Sequence, residues 1–242
     1  MTYSIVARCP RTGQYGVAVA TYSPLVGSVV PLVIGGKGAV AYQLVGSPVH
    51  RALAGQLLAT GASATGVLAE LSTKDPYWQS RQVTLVDAMG HVAGFTGANA
   101  PAYHGHRLGS GFAVAGNVLT ETCLDETYAE FNSTQDMDLP LVERLLRGLE
   151  AGARSGGQPE GLTSAAMIVH GTEPFPLVDL RVDVHDTPVK ELRRIWEFVK
   201  PLQGYFLQRK GDPAGLPRWW QKRMEMVPGW KPNHLVRVVP QQ

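Results

Sequence analysis

The order of strand and helix patterns along the chain most constrains how it can fold. Short runs of β-branched and small residues alternate, in blocks, with pairs of segments whose apolar residues have helical spacing. The predicted strands are residues 4–7, 15–21, 26–34, 38–43, 82–87, 91–96, 111–119, 164–169 and 178–182. The predicted helices are residues 48–59, 63–72, 121–132, 139–153 and 188–199. Segregated blocks of this kind predict an α+β protein, with two sheets inside a four-layer sandwich and helices outside.

Composition and charge limit which kinds of partner and which compartment are expected for the chain. The chain has 242 residues and a formal charge of +2, so it can bury one large core and has no field that implies nucleic-acid binding. Cys9 and Cys123 are far apart, and no signal-peptide pattern precedes the first strand, which predicts a cytoplasmic protein without disulfides. No apolar run approaches the roughly 20 residues of a membrane span, so no membrane partner is expected.

Thr2 is the residue with the most specific chemical implication. Removal of Met1 would leave it as the free N-terminus, carrying a hydroxyl nucleophile and an amine base on one residue. The α-amine has an ordinary pKa of about 7.7–8.0, so it can accept the hydroxyl proton near neutral pH. A retained Met1 would acylate the amine and remove the base. The alternative is an ordinary threonine at the start of a strand.

Several short motifs support this interpretation together. They are residues 3–8 (YSIVAR), 16–20 (GVAVA), 81–83 (RQV), 86–87 (VD), 96–97 (TG), 116–119 (GNVL), 164–166 (SAA) and 178–183 (VDLRVD), with Gly90 and His185. Over roughly residues 2–200 the chain resembles the bacterial domain of unknown function 1028 family. That family is grouped with the N-terminal-nucleophile hydrolases, which include proteasome subunits and penicillin acylases. The resemblance implies their αββα sandwich and hydrolysis of an amide bond.

Asn117 is a candidate donor to the oxyanion of such a reaction. It lies near the middle of a strand-like run, where a short polar side chain is a poor β former. Its amide can stabilise the developing negative charge. The alternative is a structural Asn that closes a strand bulge beside Gly116.

Arg81 and Gln82 open the strand of residues 82–87 and are candidate substrate-binding residues. A guanidinium can form two parallel hydrogen bonds with a substrate carboxylate. The alternative for Arg81, and the one that we favour, is an ion pair with Asp87, Asp183 or another acid.

Other candidates lie at the ends of neighbouring strands. Asp183 is the last of three charged residues that share one face of a strand, a face that is either exposed to solvent or part of a polar network. Asp183 or His185 is a candidate for orienting the α-amine. Ser23 and Gln43 end early strands near the expected position of Thr2, and both are candidates for lining the pocket.

Metal and cofactor signals are weak. His104 and His106 form a His-x-His pair, but no third ligand lies at a recognisable spacing. The glycine-rich segment 35–38 lacks the Lys-Ser/Thr ending of a phosphate-binding loop. We therefore expect no metal and no cofactor.

The C-terminal segment differs from the rest of the chain. After a main domain at residues 1–200, residues 201–242 combine basic residues with Trp219, Trp220 and Trp230 among prolines and glycines. This composition predicts an extended arm that packs on the body or on a neighbouring subunit of a homo-oligomer. Binding of nucleic acid or an anionic surface by the arm is the alternative.

Three functions remain open from the sequence. The first is hydrolysis of a C–N amide or ureido bond in a small molecule through Thr2. The second is a non-catalytic binding or scaffold role on the same fold. The third is metal-assisted hydrolysis through His104 and His106.

Overall fold

The computed structural model describes residues 1–211, 214 and 216–230, and within them ten strands form two antiparallel sheets. The strands are β1 (Thr2–Arg8), β2 (Tyr15–Thr21), β3 (Pro31–Ile34), β4 (Gly38–Leu44), β5 (Arg81–Val86), β6 (Val92–Thr96), β7 (Gly105–Gly109), β8 (Phe112–Asn117), β9 (Ser164–His170) and β10 (Pro176–Val182). One sheet has the order β10-β9-β2-β1-β8-β7 and the other has the order β3-β4-β5-β6. The predicted mixed α+β class is confirmed.

Eight α-helices accompany the sheets in the described residues. They are α1 (Val26–Val29), α2 (Pro48–Ala59), α3 (Ala64–Lys74), α4 (Cys123–Ser133), α5 (Leu141–Arg154), α6 (Pro188–Val199), α7 (Gln203–Gly211) and α8 (Trp219–Met226). Helix α2 begins where it does because Ser47 accepts a hydrogen bond from the His50 N–H and Pro48 occupies the first turn. Ser63 caps α3 in the same way, through the Gly66 N–H.

Alternation along the strands decides which residues face which neighbour. Val6, Val17, Ala39 and Val86 belong to one buried apolar cluster that draws on both sheets. The opposite face of the four-stranded sheet, with Val40 and Leu85, packs on α2 and α3.

The six-stranded sheet contacts α4 and α5 through β1, β2 and β8. The Tyr3 hydroxyl on β1 donates to the Leu149 carbonyl of α5 at 2.9 Å. On β8, the Phe112 ring lies 4.7 Å from the Phe131 ring of α4. Gly148 lets α5 approach the sheet closely, because a Cβ there would lie 2.5 Å from the Ile5 side chain.

The prediction of one strand over residues 26–34 is wrong in its first half. Residues Val26–Val29 form the short helix α1, and strand β3 begins only at Pro31. Helix α1 packs closely on the six-stranded sheet, where a Cβ on Gly27 would lie 2.9 Å from the Ala166 Cβ and 3.0 Å from Arg181. Gly27 permits this close contact between α1 and the sheet, and the spacing of apolar residues in the sequence does not indicate it.

Strand β7 was not predicted. It is an edge strand with exposed positions, so its sequence, Gly-His-Arg-Leu-Gly, shows no alternation of apolar and polar residues. The neighbouring strand β8 ends at Asn117, earlier than the predicted residue 119, because Val118 has a φ of 53°. Asn117 is therefore a strand end and not the middle of a strand.

The chain divides into two compact units, Met1–Arg193 and a second that begins at Arg194. The predicted extended arm is wrong where the second unit contains α7 and α8. There, the Arg223 guanidinium lies 4.1 Å from the Phe198 ring centroid, and the Trp219 and Trp230 rings are 5.9 Å apart. Aromatic and cation–π contacts thus occur in a segment whose lack of regular apolar spacing had led to the prediction of an arm. The predicted role of residues 231–242 lies outside the described residues.

Two further observations concern the cysteines and the length of the helices. Cys9 and Cys123 are both buried free thiols. In the part of the chain that the structure describes, no helix is long and apolar enough to cross a membrane.

Candidate functional site

At one end of the space between the sheets, the inward-facing positions change from apolar to polar. On β1 these positions are Val6, Ser4 and Thr2, and Thr2 pairs with Asn117 of β8. The β1–β2 register places Thr21 on the other side of Thr2, and Thr21 pairs in turn with Ser164 of β9. In the facing sheet, Gln43, Gln82 and Thr96 lie side by side. Two rows of polar side chains therefore face each other at the strand ends.

A network of side-chain amides joins the two rows. The two hydrogens of Gln82 Nε2 are shared among three acceptors, the carbonyls of Gly105 and Gly116 at 3.0 and 2.9 Å and the Thr96 hydroxyl at 3.0 Å. The Gln82 Oε1 accepts from Gln43 Nε2 at 2.7 Å and from Asn117 Nδ2 at 2.8 Å.

This network fixes the orientation of each amide. Backbone carbonyls only accept, so the nitrogen of Gln82 must face them and its oxygen must face the other two amides. Gln43 Oε1 and Asn117 Oδ1 consequently point elsewhere, and neither has a hydrogen-bond partner among the described residues. The hydroxyls of Ser4 on β1 and Thr84 on β5, which lie two residues beyond Thr2 and Gln82 on the same strand faces, are also buried without a hydrogen-bond partner among the described residues. Buried polar atoms without partners concentrate beside Thr2.

Thr2 is 6% exposed and lines a cavity of about 100 Å³. Its hydroxyl lies 3.3 Å from the Thr21 hydroxyl, and both hydroxyls donate to the Met1 carbonyl. The Thr21 hydroxyl also accepts from the Ser23 N–H at 3.3 Å. The cavity is lined by Met1, Thr2, Thr21, Ser23, Pro24, Val26, Val29, Val30, Gln43, Leu44 and Gly46.

The chain's own α-amine is the basic group at this cavity. Burial lowers the pKa of the Met1 α-amine, and the carboxylate of Glu160 acts in the opposite direction. This amine belongs to Met1, so removal of Met1 would remove it together with that residue.

Backbone strain surrounds the same cavity. Leu25, Leu44 and Val118 have positive φ angles of 64°, 74° and 53°, and they are the non-glycine residues with positive φ in the described chain. Leu44 lines the cavity, Leu25 lies between two residues that line it, and Val118 follows Asn117. Such conformations are costly, above all for a β-branched residue, and they tend to cluster at functional sites.

Arg81 does not face the cavity; it belongs to a buried ion pair. Its Nε donates to Asp75 Oδ2 at 2.7 Å, and Tyr42 and His50 approach the same carboxylate at 2.6 and 3.2 Å. Burial favours a raised pKa for Asp75, but the hydrogen bonds from Arg81, Tyr42 and the Tyr77 N–H outweigh it and lower the pKa to about 2. The expected ion pair is therefore present, but its acid is Asp75 and not Asp87 or Asp183. Arg81 also donates to the Val45 carbonyl and so holds the segment after Leu44.

Asp183 and His185 are not brought to the cavity. Both side chains are exposed, and the His185 Nδ1 accepts a hydrogen bond from the Thr187 N–H at 2.9 Å. Neither Asp183 nor His185 is among the residues that line the cavity, and the carboxylate that acts on the Met1 α-amine is that of Glu160. Asp183 lies one residue beyond β10. The face of β10 that carries Asp179 and Arg181 is exposed to solvent, which is one of the two alternatives that the sequence left open.

The two candidate metal ligands point to separate partners. The His104 Nδ1 lies 2.8 Å from the Pro101 carbonyl, and the His106 Nδ1 lies 2.9 Å from the Thr96 hydroxyl. The described residues contain no group of three metal-ligating side chains.

Thr21 and Glu160 were missed by the sequence reasoning, for different reasons. The six-residue connection between β1 and β2 implies a register that places Thr21 opposite Thr2, so hairpin counting would have found it. Glu160 lies in an irregular segment between α5 and β9, and no periodicity marks it.

A family model described as a family of unknown function (DUF1028) matches residues 2–192, and the chain belongs to that family. The predicted family is thereby confirmed. The crystal structure of protein SPO2555 from Silicibacter pomeroyi, assigned to the same family, is 30% identical with a TM-score of 0.73 and covers 82% of this chain and 89% of its own.

More distant structures also align with the chain. Anbu (ancestral beta-subunit) from Yersinia bercovieri is 14% identical with a TM-score of 0.39, over 85% of this chain and 97% of its own. A Gly-1 mutant of Anbu from Hyphomicrobium sp. strain MC1 is 12% identical with a TM-score of 0.42, over 86% and 97%. Similarity at this level supports no argument about fold or function. A comparison with curated proteins found no match.

Proposed function

We propose that this protein is an amidohydrolase of the N-terminal-nucleophile type, built on a four-layer αββα sandwich, with Thr2 as nucleophile after removal of Met1. One observation carries the proposal: the second residue of the chain is buried at the polar end of the space between the sheets, with its hydroxyl in a cavity. A threonine that merely starts a strand has no need of such surroundings.

The proposed reaction proceeds in two steps. The Thr2 Oγ attacks the amide carbonyl carbon, and its proton passes to the α-amine, directly or through one water. When the C–N bond breaks, the amine leaves with that proton, and the acyl group remains as an ester on Thr2. Water then attacks the ester carbon, gives the carboxylic acid and restores the hydroxyl.

Asn117 is the proposed oxyanion donor. One hydrogen of its Nδ2 is used by Gln82, and the second is free to point toward the strand end where Thr2 lies. Because Gln82 is itself held by two backbone carbonyls, it keeps the Asn117 amide in one orientation. A donor that is already oriented needs no rearrangement as the negative charge develops.

The test begins with the N-terminus. Intact mass spectrometry should show that Met1 is absent from the active protein. Incubation with p-nitrophenyl butyrate should release p-nitrophenolate and leave a butyryl group on the N-terminal peptide. Thr2→Ala should abolish this labelling, and Thr2→Ser should retain part of it.

A matched control separates mechanism from folding. Thr73→Ala changes an exposed threonine on α3 and should label like the wild type. Full labelling of a folded Thr2→Ala variant would refute the mechanism. Retention of Met1 in every preparation, together with no labelling, would favour the binding or scaffold role instead.

A further inference from the structure

A groove beside α1 shares no lining residue with the cavity beside Thr2. Residues of α1, α2, β3, β9 and β10 form it, and all of them belong to the first compact unit. Its volume is about 330 Å³. Small-molecule sites usually have volumes of about 300–1,000 Å³, so the groove suits a small ligand.

Arg51 of α2 lines this groove and has an unused hydrogen-bonding edge. Its Nη1 donates to the Ser28 carbonyl at 2.8 Å and to the Pro31 carbonyl at 3.4 Å, which holds the half-buried side chain in place. Its Nε and Nη2 have no hydrogen-bond partner among the described residues, and no carboxylate there forms an ion pair with Arg51. The Nε–H and Nη2–H groups together form an edge of a guanidinium that can bind both oxygens of a carboxylate.

A second guanidinium, that of Arg181 on β10, lines the same groove. Its Nε and Nη2 donate to the two carboxylate oxygens of Asp179 at 3.0 and 3.3 Å. Its Cγ and Cδ pack on α1, since a Cβ on Gly27 would lie 3.0 Å from each of them. Burial and, after it, the positive charge of Arg181 lower the pKa of Arg51, so the two guanidiniums repel each other.

The charges around the groove favour a ligand with a single negative charge. Arg51 and Arg181 are positive and Asp179 is negative, which leaves one positive charge in excess, and His170 is the remaining titratable side chain of the lining. A carboxylate carries one negative charge, whereas a phosphate monoester carries about 1.5 to 2 at neutral pH. The carboxylate is therefore the better match.

The rest of the groove has apolar walls. Leu32 and Val33 of β3 and Ile168 of β9 line it, and Pro31 and Pro176 add further apolar surface. An apolar body attached to the anionic group would remove this surface from water, which favours binding.

We propose that the groove beside α1 binds a small monocarboxylate with an apolar body, and that its carboxylate accepts two parallel hydrogen bonds from Nε and Nη2 of Arg51 beside Arg181. The bound anion gives Arg51 the ion-pair partner that it lacks and offsets the repulsion between the two guanidiniums. Both side chains are already held in place by α1, so little conformational freedom is lost on binding. The site is independent of Thr2 and of the proposed hydrolysis.

Isothermal titration calorimetry of the full chain at low ionic strength tests the proposal, with benzoate as the probe. Benzamide has the same shape without the charge, and phenyl phosphate has a larger charge on the same ring. Benzoate should bind about 10-fold more tightly than benzamide, because only the carboxylate accepts two charge-assisted hydrogen bonds. It should also bind more tightly than phenyl phosphate.

Variants of Arg51 locate the binding site. Arg51→Met should weaken benzoate binding about 10-fold and leave benzamide binding unchanged. Arg11→Met is the matched control, because the exposed Arg11 also donates to two carbonyls, those of Met137 and Leu139, and does not line the groove. It should bind benzoate like the wild type.

A second variant covers the case in which Arg51→Met disturbs folding, which a thermal melt detects. Arg51→Lys keeps the charge and can still donate to a carbonyl, but it lacks the planar edge, so it should weaken benzoate binding while the melting temperature stays near that of the wild type. Unchanged benzoate affinity in Arg51→Lys would refute the two parallel hydrogen bonds.

Three other results would overturn the proposal. Equal affinities of the wild type for benzoate and benzamide would show that the groove does not select a carboxylate. Tighter binding of phenyl phosphate than of benzoate would assign the site to dianions. Loss of benzoate binding in Thr2→Ala, with full binding in Arg51→Met, would place the carboxylate in the candidate active site instead.

Discussion

Replacing Gln82 by Leu should destabilise the fold severely, because Gln82 joins the two polar rows. Gln43 Nε2 and Asn117 Nδ2 have the Gln82 oxygen as their acceptor, at 2.7 and 2.8 Å, and no second acceptor among the described residues. Leu has a similar size but accepts no hydrogen bond. Two buried amide groups would lose their acceptor, and the carbonyls of Gly105 and Gly116 would lose a donor.

The expected loss follows from those two groups. A buried polar group left without a hydrogen bond costs about 1–3 kcal/mol. Two such groups lower the free energy of unfolding by about 4 kcal/mol, a large part of the stability of an ordinary domain. The Thr96 hydroxyl adds little to the loss, because it keeps its contact with His106 at 2.9 Å.

Urea denaturation followed by linear extrapolation measures the change. Thr84→Val is the matched control, since Thr84 lies two residues further on the same face of β5 and its hydroxyl has no partner in the described chain. This variant should be as stable as the wild type or slightly more stable. A Gln82→Leu protein within about 1 kcal/mol of the wild type would refute the network, as would a Thr84→Val protein destabilised by as much as Gln82→Leu.

Four further outcomes are expected. Asn117→Ala should lower kcat by about 10²- to 10³-fold with little change in KM, as determined by steady-state kinetics on a cleaved amide; a change confined to KM would instead indicate substrate binding. The pH profile of kcat/KM should rise with pH, because the proposed base, the α-amine of Thr2, must lose its proton and such an amine has an ordinary pKa of about 7.7–8.0; a rate that does not fall on the acid side would exclude an amine base. Folding lowers the pKa of Asp75 from 3.8 to about 2, so this carboxylate should contribute about 2 kcal/mol to stability above pH 4, and the contribution should be lost as the pH approaches 2. Unfolding of the Asp75→Asn variant, measured across this range, should lack this loss of stability on the acid side. The variant should also be less stable than the wild type at neutral pH, because Arg81 is left unpaired. Deletion from Gly204 onward should lower the oligomer mass in light scattering or the melting temperature, because it removes the partners of Phe198 in the second unit; identical values for both would indicate a free appendage.

Local pattern was sufficient to predict much of the fold. The bounds of β2 and α2 agree with the predicted residues 15–21 and 48–59, because alternation, a capping serine and Pro48 act within a few residues of one another. Chemistry that is local to one residue was also visible, since Thr2 brings its nucleophile and its amine together whatever the rest of the chain does.

The composition of the candidate site depended on contacts between distant parts of the chain. Asn117 reaches Thr2 only because β8 pairs with β1, and Gln82 reaches Asn117 only because the two sheets face each other. The spacing of apolar residues indicates which face of a strand is buried but not which strand lies beside it. It therefore could not predict that Arg81 forms its ion pair with Asp75, or that the Asp183 side chain is exposed to solvent. The sequence by itself determined most of the secondary structure and the chemistry of Thr2, although it did not indicate α1 or β7. Tertiary structure decided which polar side chains surround Thr2, because hydrogen bonds and ion pairs between distant residues form only after the strands have paired and the sheets have packed.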